Sequence, residues 1–212
     1  MTPADQQMRE AAEAAAALVE PDMRVGLGTG RTVAWFLRAL AARTLSGLRC
    51  VATSPESFQA GAELGLAVEE FTTLEQLDIA VDGADQVAPE RWAIKGGHGA
   101  QLREKIVAAA AERFVVIVSA DKLVERLHPP VPLELHVFGL RATLRELGDA
   151  QLRRDAPPTP EGGILADYVG PIDDPAALAR ELDRNPGVSG HGLFEPALIN
   201  EVIVGGTTRR QT

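Results

Sequence analysis

The chain has 212 residues, 45% of them hydrophobic and 24% charged, with a formal net charge of −9. That length allows one large domain or a medium and a small one around a sizeable core. The acidic balance argues against a nucleic-acid partner, and a small anionic substrate would need a locally positive pocket.

The N-terminus lacks the basic-then-apolar pattern of a signal peptide. No uncharged apolar run is long enough to span a bilayer, so a cytoplasmic protein without a membrane partner is expected. Thr2-Pro3-Ala4-Asp5 reads as a helix start, with an N-cap hydroxyl, proline at the first helical position and an acid in the first turn. An Ala-rich helix follows to about Glu20, where Pro21-Asp22 breaks it. Met23 to Gly28 reads as a short buried strand entering a glycine-rich turn, and Thr32 to Arg43 has helical periodicity. Leu48 to Thr53 is a strand containing Cys50, the only cysteine, so no intramolecular disulfide can form and a reducing compartment fits. Ser54-Pro55-Glu56 opens a helix that ends near Gly65. Leu77 to Val81 is a strand that stops at Asp82-Gly83-Ala84-Asp85. Arg91 to Ile94 reads as another short strand, Ala100 to Glu112 as a helix and Phe114 to Val118 as a β-branched strand. Strands alternating with helices imply a mostly parallel sheet covered on both faces.

The composition changes near His128, and six of the fourteen prolines lie between Pro129 and Pro160. The elements there read as strand Leu133–Phe138, helix Leu140–Leu147, strand Gln151–Arg154, strand Ile164–Val169, helix Pro175–Arg184 and strand Val188–Phe194. This β-α-β-β-α-β order is the ferredoxin-like pattern. It predicts an α/β domain at 1–127 plus 200–212 and a smaller α+β domain at 128–199, with the apolar stretch Glu201 to Gly206 returning to the first sheet.

Four places carry candidate chemistry. Gly26-Leu27-Gly28-Thr29-Gly30-Arg31-Thr32 lies between a strand and a helix. Glycines there turn backbone N–H groups toward one point, the helix start adds partial positive charge, and Thr29, Thr32 and Arg31 can donate to a phosphate. The spacing is not the dinucleotide G-x-G-x-x-G, and the next strand ends Val51-Ala52-Thr53 with no acid for a ribose hydroxyl. The other reading is a tight turn that binds nothing. Asp82-Gly83-Ala84-Asp85 puts two carboxylates at the end of a buried strand, where open α/β sheets bind ligands, although D-G also makes ordinary polar turns. No further His or acid sits at metal-ligand spacing, so no metal is expected.

Ile94-Lys95-Gly96-Gly97-His98-Gly99 can bring a cation and several N–H groups to an oxyanion. It is followed by Arg103-Glu104-Lys105 on a helix, a triplet that in isolation reads as a solvated face. Asp121-Lys122 follows the Val-rich strand. All four places fall at the carboxyl ends of predicted strands, and Arg31, Lys95 and Lys122 would supply the positive field that the acidic chain otherwise lacks.

In order and spacing, Gly26-Leu27-Gly28-Thr29-Gly30-x-Thr32, Val81-Asp82-Gly83-Ala84-Asp85, Ile94-Lys95-Gly96-Gly97 and Arg103-Glu104-Lys105 resemble the motifs of ribose-5-phosphate isomerase type A. So do Ala120-Asp121-Lys122, Asn185-Pro186-Gly187-Val188 and Gly192-Leu193-Phe194, and the resemblance covers nearly the whole chain. The chain departs from it at Arg31, commonly Ser in the family, at His98, commonly Gly, and through Thr159-Pro160-Glu161-Gly162-Gly163.

The resemblance implies a Rossmann-like domain with a ferredoxin-like lid, self-association as a dimer or tetramer, and no metal or organic cofactor. It implies interconversion of ribose 5-phosphate and ribulose 5-phosphate. Glu104 would be the catalytic base, assisted by Asp82, Asp85 and Lys95. Thr29, Gly30, Arg31, Thr32, Gly83, Ala84, Gly96, Gly97, His98 and Lys122 would contact the phosphorylated pentose.

Moving a carbonyl between C1 and C2 needs a base for the carbon-bound proton and a stabiliser for the enediolate oxygen. A carboxylate suits the first role when burial and like charge draw its pKa toward neutrality, and Lys95 with the Gly96 and Gly97 amides suits the second. The alternatives are a non-catalytic sugar-phosphate sensor, or another enzyme on this scaffold such as a sugar-phosphate deaminase, a lactonase or an acyl-CoA transferase.

Overall fold

A computed structural model of the chain describes residues 1–206, together with the backbone of 210 and 211. The chain begins with α1 (Pro3–Ala16), β1 (Arg24–Leu27), α2 (Arg31–Ala42), β2 (Arg49–Ala52), α3 (Pro55–Glu63), β3 (Val68–Glu69) and β4 (Leu77–Asp82). Two short strands follow, β5 (Gln86–Val87) and β6 (Ala93–Ile94), then α4 (Gln101–Ala110) and β7 (Ala111–Val118). Next come β8 (Val131–Leu135), α5 (Leu140–Leu147), β9 (Ala150–Leu152), β10 (Ile164–Tyr168) and α6 (Pro175–Arg184). The chain finishes with β11 (Val188–His191), β12 (Leu193–Phe194), β13 (Glu201–Val204) and β14 (Arg210–Gln211). These elements form two compact units: Met1–Ala84, Arg103–Leu123 and Pro196–Thr212 make the first, and Asp85–Leu102 with Val124–Glu195 the second.

The first unit is built on a sheet of order β14-β13-β7-β4-β1-β2-β3, parallel throughout except for the β13–β14 pair. Its central strands are apolar because a parallel sheet is covered on both faces. Val25, Leu27, Ile79, Val81, Val115 and Ile117 are all in its core. The small side chains of Ala11, Ala12, Ala15 and Ala16 on α1 join the same core as Val33, Phe36, Leu37 and Leu40 of α2. The start of α1 is fixed by a capping box, in which Asp5 N–H donates to Thr2 Oγ1 at 3.1 Å and Thr2 N–H to Asp5 Oδ2 at 2.9 Å. The apolar stretch after Asn200 does return to this sheet, as β13 beside β7.

The second unit contains an antiparallel sheet of order β11-β8-β10-β9, with the predicted β-α-β-β-α-β chain order through α5 and α6. Val131, Leu133 and Leu135 of β8 are fully buried in its core with Leu178 and Leu182 of α6. Each such side chain contributes on the order of 1.5–3 kcal/mol of hydrophobic stabilisation. A small sheet of order β12-β6-β5 completes the unit.

Several predicted strands differ from their observed bounds, two of them in ways that change the local structure. The strand expected at Leu133–Phe138 runs from Val131 to Leu135, because Gly139 takes a left-handed conformation (φ 75°) to start α5 and turns the chain first. Phe138 is left 94% exposed. The strand expected at Val188–Phe194 divides at Gly192 into β11 and β12, which belong to different sheets.

Candidate active site

Three of the four predicted loops collect at the carboxyl ends of the first unit's strands, whereas the K-G-G loop follows β6 in the small antiparallel sheet of the second unit. β7, β4 and β1 are adjacent, and they are followed by Lys122, the Asp82 turn and the Gly28–Thr32 loop. Gly28 N–H donates to Val81 O at 3.0 Å, which aligns the loop with the end of β4. Asp82 is 2% exposed. Its Oδ1 accepts two backbone N–H groups, from Thr29 at 3.0 Å and from Gly83 at 2.7 Å. Gly28 is required here because a Cβ at that position would lie 2.1 Å from Asp82 Cγ. The bare α-carbon makes room for the carboxylate.

Gly30, at φ 109° in the left-handed region that favours glycine, precedes α2, and no side chain caps that helix start. An uncapped N-terminus with a half-buried Thr32 and an exposed Arg31 is suited to hold an anion. Thr29 Oγ1 is 2.8 Å from Thr53 Oγ1, and Ser57 Oγ donates to Gly28 O at 2.6 Å. Thr53 and Ser57 therefore brace the loop from the β2–α3 junction, a role that their sequence context does not announce. Lys122 is half-buried, with Nζ 4.0 Å from Asp121 Oδ2.

Glu104 is 4% exposed, so the Arg-Glu-Lys triplet is not a solvated face. Three landmarks order its helix along the strands. Ala111 lies beside Leu77 at the start of β4. A Cβ at Gly26 would meet Val107 Cγ1 at 2.6 Å, and Gly26 pairs with Ala80 further along the sheet. Glu104 is one turn beyond Val107 on the same helix face. Glu104 therefore lies toward the carboxyl ends of the strands rather than their starts.

In the second unit Lys95 is 2% exposed. Its backbone N–H donates to Gly192 O at 2.9 Å, and its ammonium lies 5.3 Å from the centroid of the Phe194 ring. Asp85 Oδ2 accepts Gly97 N–H at 2.9 Å, so this carboxylate holds the K-G-G loop and the Gly97 amide is engaged. Gly96 takes φ 99°, with the buried Gln101 side chain packed against its α-carbon. Gly97 and His98 are exposed.

Sequence reasoning missed Arg153. Its Nη1 donates to Gly96 O at 3.2 Å and to Gly97 O at 3.1 Å, while Nε and Nη2 fork onto Asp167 at 3.0 and 2.7 Å. The only signal in the sequence is a basic and an acidic residue in neighbouring strand segments, which surface pairs share.

The family model for ribose 5-phosphate isomerase A (phosphoriboisomerase A) matches residues 49–209. Ribose-5-phosphate isomerase A of Caulobacter vibrioides (strain NA1000 / CB15N) is 43% identical over 216 residues, covering 95% of each chain. Among solved structures, ribose 5 phosphate isomerase A from Neisseria gonorrhoeae matches with a TM-score of 0.92 at 33% identity, over 100% of this chain and 97% of that one. A D-ribose-5-phosphate isomerase in complex with phospho-erythronic acid matches with a TM-score of 0.91 at 33% identity, over 99% and 98%. On the matched span and the identity, this chain belongs to the ribose 5-phosphate isomerase A family of enzymes.

Proposed function

We propose that the chain interconverts ribose 5-phosphate and ribulose 5-phosphate by proton transfer through an enediolate, with Glu104 as the base. The observation that supports this reading is that Glu104, in a triplet that would otherwise form a solvated helix face, is buried within the same unit as the buried Asp82. Glu104 takes the proton from C2 of the open-chain aldose, and the C–H electrons form the C1=C2 bond as the carbonyl oxygen becomes an oxyanion. The same carboxyl returns the proton to C1. Asp82 passes the hydroxyl proton from O2 to O1, which balances the exchange. Lys95 stabilises the oxyanion. Asp85 acts by fixing the Gly97 end of the Lys95 loop.

The phosphate is held by the Gly28–Thr32 turn, where the start of α2, Thr29, Thr32 and Arg31 supply donors, with Lys122 as a further cation. Gly83, Ala84, Gly96 and His98 contribute backbone contacts to the sugar. The complex of a related isomerase with phospho-erythronic acid supports a phosphorylated substrate, since a planar charged carboxyl next to a polyol resembles the enediolate. By analogy with the family, the working form is a homodimer or homotetramer.

Glu104→Gln is the decisive variant. With ribose 5-phosphate as substrate we expect kcat to fall by about 10³-fold, in the range that general-base removal produces. KM should stay within about threefold, because the amide preserves shape and binding contacts. Turnover near that of the parent chain would remove Glu104 from the mechanism.

A further inference from the structure

Within the second unit, Lys95 is gripped by one short stretch, His191 to Phe194. Gly192 O accepts its N–H, Leu193 and Phe194 pair with Ile94 and Ala93, and the Phe194 ring faces its ammonium. At Gly192 the chain changes sheets: β11 pairs with β8, and β12 pairs with β6. A two-residue strand has little ladder to define its register. A slip of one residue would turn Phe194 to the opposite face and take its ring away from Lys95. Gly192 itself cannot hold the register with a side chain, since a Cβ there would lie 2.2 Å from Lys95 O and 2.8 Å from Pro132 Cδ.

His191 is the side chain at this crossover, and it is 2% exposed. Its Nδ1 accepts Leu193 N–H at 3.2 Å, which leaves the ring proton on Nε2, 3.0 Å from Asp183 Oδ1 on α6. The imidazole thus links the first residue of β12 to a helix outside both sheets. The proposed reaction makes no use of this pair.

We infer that His191, oriented by Asp183, is a positioning residue for Lys95. It sets where β12 begins, and through that the placement of the Lys95 ammonium and the Phe194 ring. The inference rests on the reading of Lys95 as the stabiliser of the enediolate oxygen.

The test compares Lys95→Met, His191→Phe, His191→Asn and Asp183→Asn in the full chain, measuring kcat, KM for ribose 5-phosphate and the thermal midpoint. Asp183 has a 65% exposed side chain, so its substitution should leave the midpoint nearly unchanged. We expect His191→Phe to lower kcat by roughly 10- to 100-fold with little change in KM, the scale of a small misplacement of a catalytic group. Asp183→Asn should lower kcat in the same direction. His191→Asn, whose Oδ1 can still accept Leu193 N–H, should recover most of the loss.

If Lys95→Met loses turnover while His191→Phe and Asp183→Asn keep full kcat, the inference is wrong and the reading of Lys95 stands. Equal losses in His191→Phe and His191→Asn, tracking a lowered midpoint, would mark a merely structural role and also overturn it. Full turnover in Lys95→Met removes both the reading and the inference. Where His191→Phe fails to fold, Asp183→Asn decides, and an unchanged kcat in that variant refutes the proposal.

Discussion

Gly28 and Asp82 occupy one space between them. The carboxylate sits where the side chain of any other residue at 28 would begin, and from there it gathers the N–H groups of Thr29 and Gly83. Gly28→Ala should therefore act as a substitution at Asp82, by pushing the carboxylate off those donors. We expect a loss of about 100-fold in kcat, since a displacement of about an ångström is enough for that. The double variant Gly28→Ala/Asp82→Ala should be little worse than Asp82→Ala alone, because the added methyl then has nothing to displace. Additive losses measured for the pair would show that the methyl acts elsewhere.

Among the elements, β1 and β4 are tied together at their base as well as at the site. Arg24 on β1 donates its backbone N–H and its guanidinium to Asp78 on β4. These hydrogen bonds hold the Asp78 carboxyl below its ordinary value of 3.8, against the opposing effect of partial burial. A depressed carboxyl stabilises the fold above its unfolded value, and that contribution is lost as pH falls through the folded one. The thermal midpoint of Asp78→Asn should thus lie below that of the parent chain near neutrality, with the gap closing under pH 3.8. A gap independent of pH would assign the effect to packing alone.

The longer elements were legible because their periodicity is internal. The caps of α1 and the apolar runs of β4 and β7 can be read without knowing their neighbours. So could the four loops, which strand ends mark out. What stayed hidden was non-local. Gln86–Val87 is a two-residue strand, too short for any period, and the sequence marks Ala93–Ile94 and Leu193–Phe194 as strand without showing that they pair with each other across about a hundred residues of chain. Arg153 was invisible for the same reason, since its value lies in the distant Gly96 and Gly97 carbonyls. Glu104 was visible only through the motif, because burial separates it from an ordinary helical Glu.

At the scale of the whole molecule, the second unit is made of two separate pieces of chain, 85–102 and 124–195. Ala88 and Ile94 from the shorter piece are part of the same apolar cluster as β8 and α6 from the longer one. Residues 124–195 expressed alone would lack those side chains and the partner of β12. We expect that fragment to show no cooperative thermal transition by circular dichroism, and a sharp melt would contradict the account of this core. This connectivity also bears on how such a protein can change over evolutionary time. All four ends of the two pieces open into the first unit, so no single deletion, fusion or exchange of a gene segment removes the second unit intact. A lineage could acquire or discard it only through two coordinated events on either side of residues 103–123, so that the smaller unit is inherited together with Glu104.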